Sequence, residues 1–269
     1  MKLFARKRSL TQAWKYRADG EIWRIYPTGT DLLFGEDRET GTKKTGFFSL
    51  NRHTGDRYWS GEKVHEWWVG VEGVIGETLF LHGFATPDMP MHRGIVAING
   101  RTGEQVWENP DLCFEYGTNN SVIASSGAAG SKTLFMLEAG TGDVVTEWKE
   151  GLDVGPDAPD VFPEQTIRYP ELLTDPDQSK FREYLPSFSG PSSIIEESGY
   201  SIVACRDKPV GEQRILIFDS GTGEELYRNR ITSEEGLFIP DSFLVQESML
   251  YFVKDRKELI AVKLPSEGK

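Results

Sequence analysis

Two histidines, His82 and His92, are the first place in this sequence to look for chemistry. Asp88, Met89 and Met91 lie between them, and imidazole, carboxylate and thioether groups can all bind metal ions. The spacing does not match a compact ligand motif such as HExxH, which places two histidines one turn apart on a helix. We therefore expect a polar loop that joins two strands, with no metal site and no cofactor.

The two cysteines indicate buried thiols rather than a nucleophile. Cys113 precedes Phe114 and Cys205 ends an apolar run, and neither is flanked by the basic residues that activate a thiol. Their spacing also matches no zinc motif. Because two isolated thiols are consistent with a reducing compartment, we expect a cytoplasmic protein.

Carboxylates are the remaining source of catalytic groups. The chain has 42 Asp and Glu residues, and two of them flanking a glycosidic bond could catalyse its hydrolysis. The sequence does not indicate which two would lie at the required separation. A glycoside-hydrolase-like enzyme with paired carboxylates at a central channel is therefore the alternative to a non-catalytic role, and no catalytic residue is assigned.

The charge balance argues against nucleic acid and membrane as partners. Thirty Lys and Arg residues oppose the 42 acidic ones, which gives a net charge of −12, whereas a nucleic-acid footprint needs clustered positive charge. No stretch approaches the roughly 20 apolar residues of a membrane span, and no signal-peptide pattern follows the basic residues near the N-terminus. We expect a monomer that binds an unknown protein or small ligand.

A repeated hairpin pattern indicates how the chain is built. Each copy has four mostly apolar residues, a polar residue, two variable residues, Thr-Gly and an acidic residue, and an aromatic residue usually follows four positions after the glycine. The glycine can adopt positive φ and reverse the chain, and the aromatic ring can cover the edge of a neighbouring sheet. The four copies span residues 47–59, 95–107, 134–143 and 215–227.

The repeat predicts an all-β protein. We expect a closed β-propeller of four-stranded blades, five in number with six as the alternative, in a single domain over residues 1–269. Segments 241–246, 249–254 and 258–264 give three strands, and residues 11–16 resemble a fourth strand without a preceding hairpin. Pairing them would remove an exposed sheet edge, so we expect the N-terminal strand to complete the C-terminal blade.

A family resemblance rests on the sequences of residues 13–16, 19–23 and 48–59, which read AWKY, DGEIW and FSLNRHTGDRYW. They resemble the repeat of pyrroloquinoline quinone (PQQ)-dependent alcohol dehydrogenases and of non-catalytic relatives, including outer-membrane assembly propeller lipoproteins. The resemblance implies blade architecture only. The catalytic members have a larger ring, a bound calcium ion and commonly an adjacent cysteine pair, so we expect neither PQQ nor calcium here. The chain is most similar to uncharacterised bacterial members without a signal peptide.

Residues 149–190 interrupt the repeat. They contain six of the 14 prolines, and nine acidic residues oppose four basic ones. Proline within such runs argues against a central strand. We interpret this segment as an acidic, proline-rich insertion between blades, with a degenerate blade as the alternative.

The irregular connections between strands are expected to carry the function. Residues 37–46, 84–93 and 207–213 and the insertion should gather on one face, opposite the tight Thr-Gly turns, and loops on a rigid scaffold commonly bind ligands. We therefore expect a non-catalytic binding or scaffold protein. Its predicted contact residues are Met89, Met91, His92, Phe162, Arg168 and Tyr169.

Overall fold

The computed structural model describes residues 9–64, 67–86, 89–118, 120–127, 131–148, 167–173, 188–207, 211–234 and 238–265, with the backbone alone at 85–86, 89–91 and 188–189. This part of the chain is all-β and contains no helix that could cross a membrane. Its strands are β1 (Gln12–Arg17), β2 (Glu21–Pro27), β3 (Leu32–Glu39), β4 (Lys44–Asn51), β5 (Arg57–Gly61), β6 (Val69–Ile75), β7 (Thr78–Thr86), β8 (Met89–Asn99), β9 (Gln105–Asn109), β10 (Cys113–Gly117), β11 (Ser121–Ser126), β12 (Thr133–Glu138), β13 (Val144–Trp148), β14 (Ile167–Arg168), β15 (Glu171–Leu173), β16 (Phe188–Glu197), β17 (Tyr200–Asp207), β18 (Gln213–Asp219), β19 (Glu225–Thr232), β20 (Phe243–Gln246), β21 (Met249–Lys254) and β22 (Glu258–Lys263).

The described strands form five antiparallel sheets in two compact units. The first unit, residues 1–18 and 165–269, contains two five-stranded sheets with the orders β1-β22-β21-β20-β14 and β15-β16-β17-β18-β19. The second unit, residues 19–164, contains three four-stranded meanders, β2–β5, β6–β9 and β10–β13. The four-stranded sheets predicted from the repeat are confirmed.

The N-terminal strand pairs with the last strand of the chain, as the sequence predicted. β1 lies antiparallel to β22, in a register that places Trp14 opposite Ala261 and Arg17 opposite Glu258. This pairing covers an edge of β22 that would otherwise present unpaired backbone groups.

The described part of the 149–190 segment adds two short strands at sheet edges in the first unit. β14 pairs with β20, and β15 pairs with β16. Edge positions suit a proline-rich sequence, because proline has no N–H to donate to a central ladder. The interpretation of this segment as an insertion, with a degenerate blade as the alternative, stays a prediction.

The Thr-Gly turns have the conformation that the repeat predicts. In the first copy, Oδ1 of Asn51 accepts hydrogen bonds from the backbone N–H groups of His53 and Thr54, at 3.0 and 3.1 Å. Gly55 has a φ of 77°, in the left-handed region that favours glycine. The other three copies repeat the positive φ at Gly103, Gly142 and Gly223.

The tryptophan of one repeat packs on the turn of the next repeat in the second unit. Nε1 of Trp59 donates a hydrogen bond to the carbonyl oxygen of Gly100 at 2.8 Å, and Nε1 of Trp107 donates to that of Ala139 at 2.9 Å. Both indoles are buried and belong to apolar cores between neighbouring sheets. For these two copies, the prediction that the ring covers the neighbouring sheet is confirmed.

Two connections that were predicted as loops are mostly strand, so that part of the prediction is wrong. Within 37–46, β3 continues to Glu39 and β4 begins at Lys44; within 84–93, β7 continues to Thr86 and β8 begins at Met89. Arg38, within 37–46, is buried on β3 together with Glu36 of the same strand, and Nε of Arg38 donates to Oε1 of Glu36 at 2.7 Å. Burial is tolerated because the two charges are paired and hydrogen-bonded.

Candidate functional site

The predicted contact residues are distributed over the two units. His92 lies on β8 in the second unit, where Met89 and Met91 also belong to the strand, although their side chains are not described. In the first unit, Arg168 on β14 forms an ion pair with Glu197, and Tyr169 is 58% exposed. Phe162 lies outside the described residues.

Three neighbouring strands of the β6–β9 sheet bring together Glu72, His82 and His92. Nδ1 of His92 lies 2.6 Å from Oε1 of Glu72, and Nδ1 of His82 lies 3.5 Å from the same oxygen. The centroids of the two imidazole rings are 3.5 Å apart. We call these three residues the Glu-His-His cluster. His92 lies on strand β8, so the prediction of a polar loop between the two histidines is wrong for this residue.

Irregular strand pairing places the three side chains together. In the β6–β7 pairing, the register shifts between Val71 and Gly73, so Glu72 is the additional residue of a β-bulge. The β7–β8 register also shifts around His82. Bulges redirect side chains and are frequent beside functional sites.

Close packing surrounds the cluster. The ring of Phe84 contacts both imidazoles, with centroids 5.0 Å from His82 and 5.1 Å from His92. On the neighbouring strand, Gly70 leaves room for His82, because a Cβ at position 70 would lie 2.7 Å from Nε2 of His82. Sγ of Cys113 donates to the carbonyl oxygen of His92 at 3.0 Å. The side chains of His82 and Glu72 are 7% and 13% exposed, whereas that of His92 is 40% exposed, so the cluster is reached from the side of His92.

Burial also sets the protonation of the cluster. Burial, and to a smaller degree the nearby His92, lowers the pKa of His82 to about 4. Burial raises the pKa of Glu72, and the contact with His92 offsets part of this rise. An imidazole with a pKa of about 4 is neutral at pH 7, and neutral imidazole is the form that binds metal ions.

A row of aromatic side chains leads from the cluster to the surface. Trp68 packs edge-on against Phe84, with centroids 6.4 Å apart, and against Trp67 at 6.3 Å. The guanidinium of Arg38 lies between two indoles, 4.9 Å from the centroid of Trp23 and 5.1 Å from that of Trp67. Trp23 and Trp68 are 57% and 47% exposed. We call Trp23, Arg38, Trp67, Trp68 and Phe84 the aromatic row.

Hydrogen bonds fix the centre of this row. Besides its bond to Glu36, Arg38 donates from Nη1 to the carbonyl oxygen of Trp67 at 3.0 Å and from Nη2 to that of Val69 at 2.8 Å. Oγ1 of Thr45 donates to the same oxygen of Trp67 at 2.9 Å. The exposed indoles therefore stand on a rigid support.

Other groups with chemical potential are engaged elsewhere. Cys205 is buried, as predicted, and burial raises the pKa of its thiol and of Cys113, which is only partly buried. A cleft of about 500 Å³ lies beside the β6–β7 turn. Among the described residues that line it, Glu138 is the one with a titratable side chain. The paired carboxylates of a glycoside hydrolase stay a prediction.

Sequence reasoning missed the aromatic row and Glu72, although two signals were present. Trp67 and Trp68 are adjacent. Because successive side chains of an extended chain point to opposite faces, the two cannot both point into the same core. Glu72 is the one charged residue of the otherwise apolar strand β6.

Comparisons with known proteins add a partial family match. A family model described as "Domain of unknown function (DUF4905)" matches residues 27–107. This range includes the whole Glu-His-His cluster and, apart from Trp23, the whole aromatic row. No curated protein matches the chain. The resemblance to PQQ-enzyme repeats is not confirmed by the family match.

Several solved structures are similar to this chain, among them three from bacteria or archaea. BamB from Moraxella catarrhalis is 11% identical, with a TM-score of 0.29 over 94% of this chain and 99% of that one. An uncharacterized protein from Listeria monocytogenes is 8% identical, with a TM-score of 0.36 over 98% and 100%. The β-propeller domain of the Trilobed protease from Pyrococcus furiosus is 11% identical, with a TM-score of 0.33 over 88% of this chain and 64% of that one.

Proposed function

We propose that this chain is a non-catalytic binding protein, and that the aromatic row is the surface on which a protein partner docks. The observation that carries the proposal is the exposure of Trp23 and Trp68, at 57% and 47%, in a row with an immobilised Arg38 whose guanidinium lies over Trp23 and Trp67. Tryptophan and arginine dominate the energetic centres of protein interfaces.

Rigidity of the row supports a role in binding. Two-torsion aromatic side chains provide a large contact area and lose little conformational entropy when a partner immobilises them. The hydrogen bonds of Arg38 to the Trp67 and Val69 carbonyls fix the row before a partner arrives. A surface that is already ordered binds with a smaller entropic cost.

Charge indicates the kind of partner. The chain carries a net charge of −12, and opposite charge accelerates association and suppresses wrong partners. We therefore expect the partner that docks on the row to have a basic surface and an apolar or aromatic side chain that packs on Trp68. The association should weaken as ionic strength rises, because salt screens surface charges.

The closed, five-bladed propeller belongs to the same proposal. Five sheets among the described residues and the β1–β22 pairing support it. In this arrangement the sheets of the second unit act as a scaffold that displays the row.

The experiment compares alanine variants of the row with a matched control. Immobilised wild-type protein captures partners from native extract, and the affinity of each purified partner is then measured for the W23A/W68A double variant. V145A is the control, since Val145 is 61% exposed in the same unit but outside the row. Circular dichroism confirms folding of each variant.

We expect the double variant to bind a basic partner about 30-fold or more weakly, as is typical of residues at the centre of an interface. V145A should retain wild-type affinity. Equal binding by the wild type and the double variant would contradict the proposed surface.

A further inference from the structure

The Glu-His-His cluster has the donor set of a metal site rather than of a simple hydrogen-bonded pair. We infer that Glu72, His82 and His92 bind one divalent transition-metal ion, with zinc(II) as the expected occupant. This inference does not depend on the proposed docking surface, because none of the three side chains belongs to the aromatic row.

The positions of the donor atoms carry the inference. One atom from each of the three side chains, an imidazole nitrogen or a carboxylate oxygen, lies within 4.8 Å of the others. Donor atoms bound to tetrahedral zinc at about 2.0–2.1 Å are roughly 3.3 Å apart. The distance of 3.5 Å from Nδ1 of His82 to Oε1 of Glu72 fits this geometry, whereas the 2.6 Å hydrogen bond between His92 and Glu72 would have to lengthen when the ion binds.

An unsatisfied nitrogen provides a second, independent observation. Nδ1 of His82 is buried and has no hydrogen-bond partner within the described part of the chain, and its side chain is only 7% exposed. A buried polar atom without a partner costs free energy. The nitrogen lies 3.5 Å from Oε1 of Glu72, which is already bonded to His92, and a metal ion between His82 and Glu72 would give the nitrogen a partner.

The chemistry of the donors selects the class of metal. Two imidazoles and one carboxylate suit zinc and its first-row neighbours, whereas calcium and magnesium prefer sites made of oxygen alone. Three protein ligands leave one position of a tetrahedral zinc ion for water or another donor. The exposure of His92 places that position toward solvent.

This site differs from the expectation of no metal that the sequence supported. The spacing between His82 and His92 excludes a helical motif, but the ligands come from three paired strands. Register and the bulge at Glu72 bring them together, and spacing along the chain does not report such pairings.

The test is a direct titration of chelator-dialysed full-length protein with zinc(II) against a chromophoric competitor. Cobalt(II) serves as a second probe, because its visible absorption reports tetrahedral coordination, and calcium(II) serves as the negative control. The variants are E72Q, which preserves the size of the side chain, and H92A, which removes a side chain that is partly exposed. The control variant is H53A, since His53 is exposed in a Thr-Gly turn outside the cluster.

We expect one equivalent of zinc to bind the wild type and H53A. In E72Q and H92A the affinity should fall by more than about 100-fold, because loss of an outer-shell partner alone commonly costs 10- to 100-fold. The wild type should also give tetrahedral cobalt absorption and bind no calcium. The proposal is overturned if folded wild type binds no zinc at micromolar concentration, or if E72Q and H92A both bind it as tightly as wild type does.

Discussion

Nε2 of His82 lies against Gly70, the residue directly opposite it on the neighbouring strand, so closely that an added Cβ would sit 2.7 Å from the nitrogen. The imidazole therefore occupies space that only a glycine at position 70 leaves free. Because His82 is buried on its other sides, the ring cannot move freely away from such a Cβ.

G70A tests whether this close contact positions the cluster. We expect zinc affinity to fall by at least about 10-fold, although all three ligands are retained. The free energy of unfolding should fall by about 1–3 kcal/mol, which is typical of overpacking. G41A, at a glycine with open space around it, should change neither quantity. Wild-type zinc affinity in G70A would show that Gly70 does not position His82.

The packing of each tryptophan on the next turn predicts a sharp difference between two glycines. A Cβ at Gly103 would lie 2.7 Å from the Trp59 ring, and Gly103 has a φ of 72°, whereas a Cβ at Gly140 would meet nothing within 4 Å. We expect G103A to lower the free energy of unfolding by at least about 1–2 kcal/mol. G140A should remain within about 0.5 kcal/mol of wild type. Urea denaturation measures both, and equal stabilities would contradict the interlocking of repeats.

Asp37 should make the stability depend on pH. Its buried carboxylate accepts a hydrogen bond from N–H of Gly20 at 2.8 Å, and burial raises its pKa, with a further rise from Asp19 and Glu39. A carboxyl whose pKa is higher in the folded state than in the unfolded state is more protonated when folded. This contribution to stability is therefore largest below the unfolded pKa of about 3.9 and declines as the pH rises through the folded pKa.

The corresponding variant is D37N, which removes the charge and retains an acceptor for Gly20. Relative to wild type, D37N should gain stability as the pH rises from 4 to 7, as measured by urea denaturation at several pH values. D143N, which removes an exposed carboxylate in the same unit, is the control for loss of one charge. A difference between D37N and wild type that does not vary with pH would contradict the assignment.

The fold could be predicted from the sequence further than the site could. Each Thr-Gly turn is a local signal, because glycine at position 55 or 103 specifies a positive φ. Three strands at one end of the chain and a single strand at the other predicted the β1–β22 pairing. The Glu-His-His cluster has no local signal of this kind. Its residues lie ten positions apart along the chain, at 72, 82 and 92, and meet only through a strand register that contains bulges. A shift of one residue would send a side chain to the opposite face.

The buried Arg38 illustrates a second reason for the difference. Residues 37–46 were predicted as a connection, and the sequence does not reveal that Glu36 and two backbone carbonyls accept hydrogen bonds from the guanidinium of Arg38 on a strand. The same pairing creates the support of the aromatic row. The hydrogen bonds that the sequence does not reveal are therefore the ones that make the surface rigid.

Site-specific photo-crosslinking is the most direct test of the aromatic row as a docking surface. A photoreactive phenylalanine analogue replaces Trp68 in one variant and Val145, which is also exposed, in the other, and both proteins are irradiated in cells of the native host. We predict that position 68 crosslinks to a discrete basic protein, that position 145 does not, and that W23A weakens the crosslink at 68. The same crosslinks at both positions, or none at 68 in a folded protein, would contradict the account.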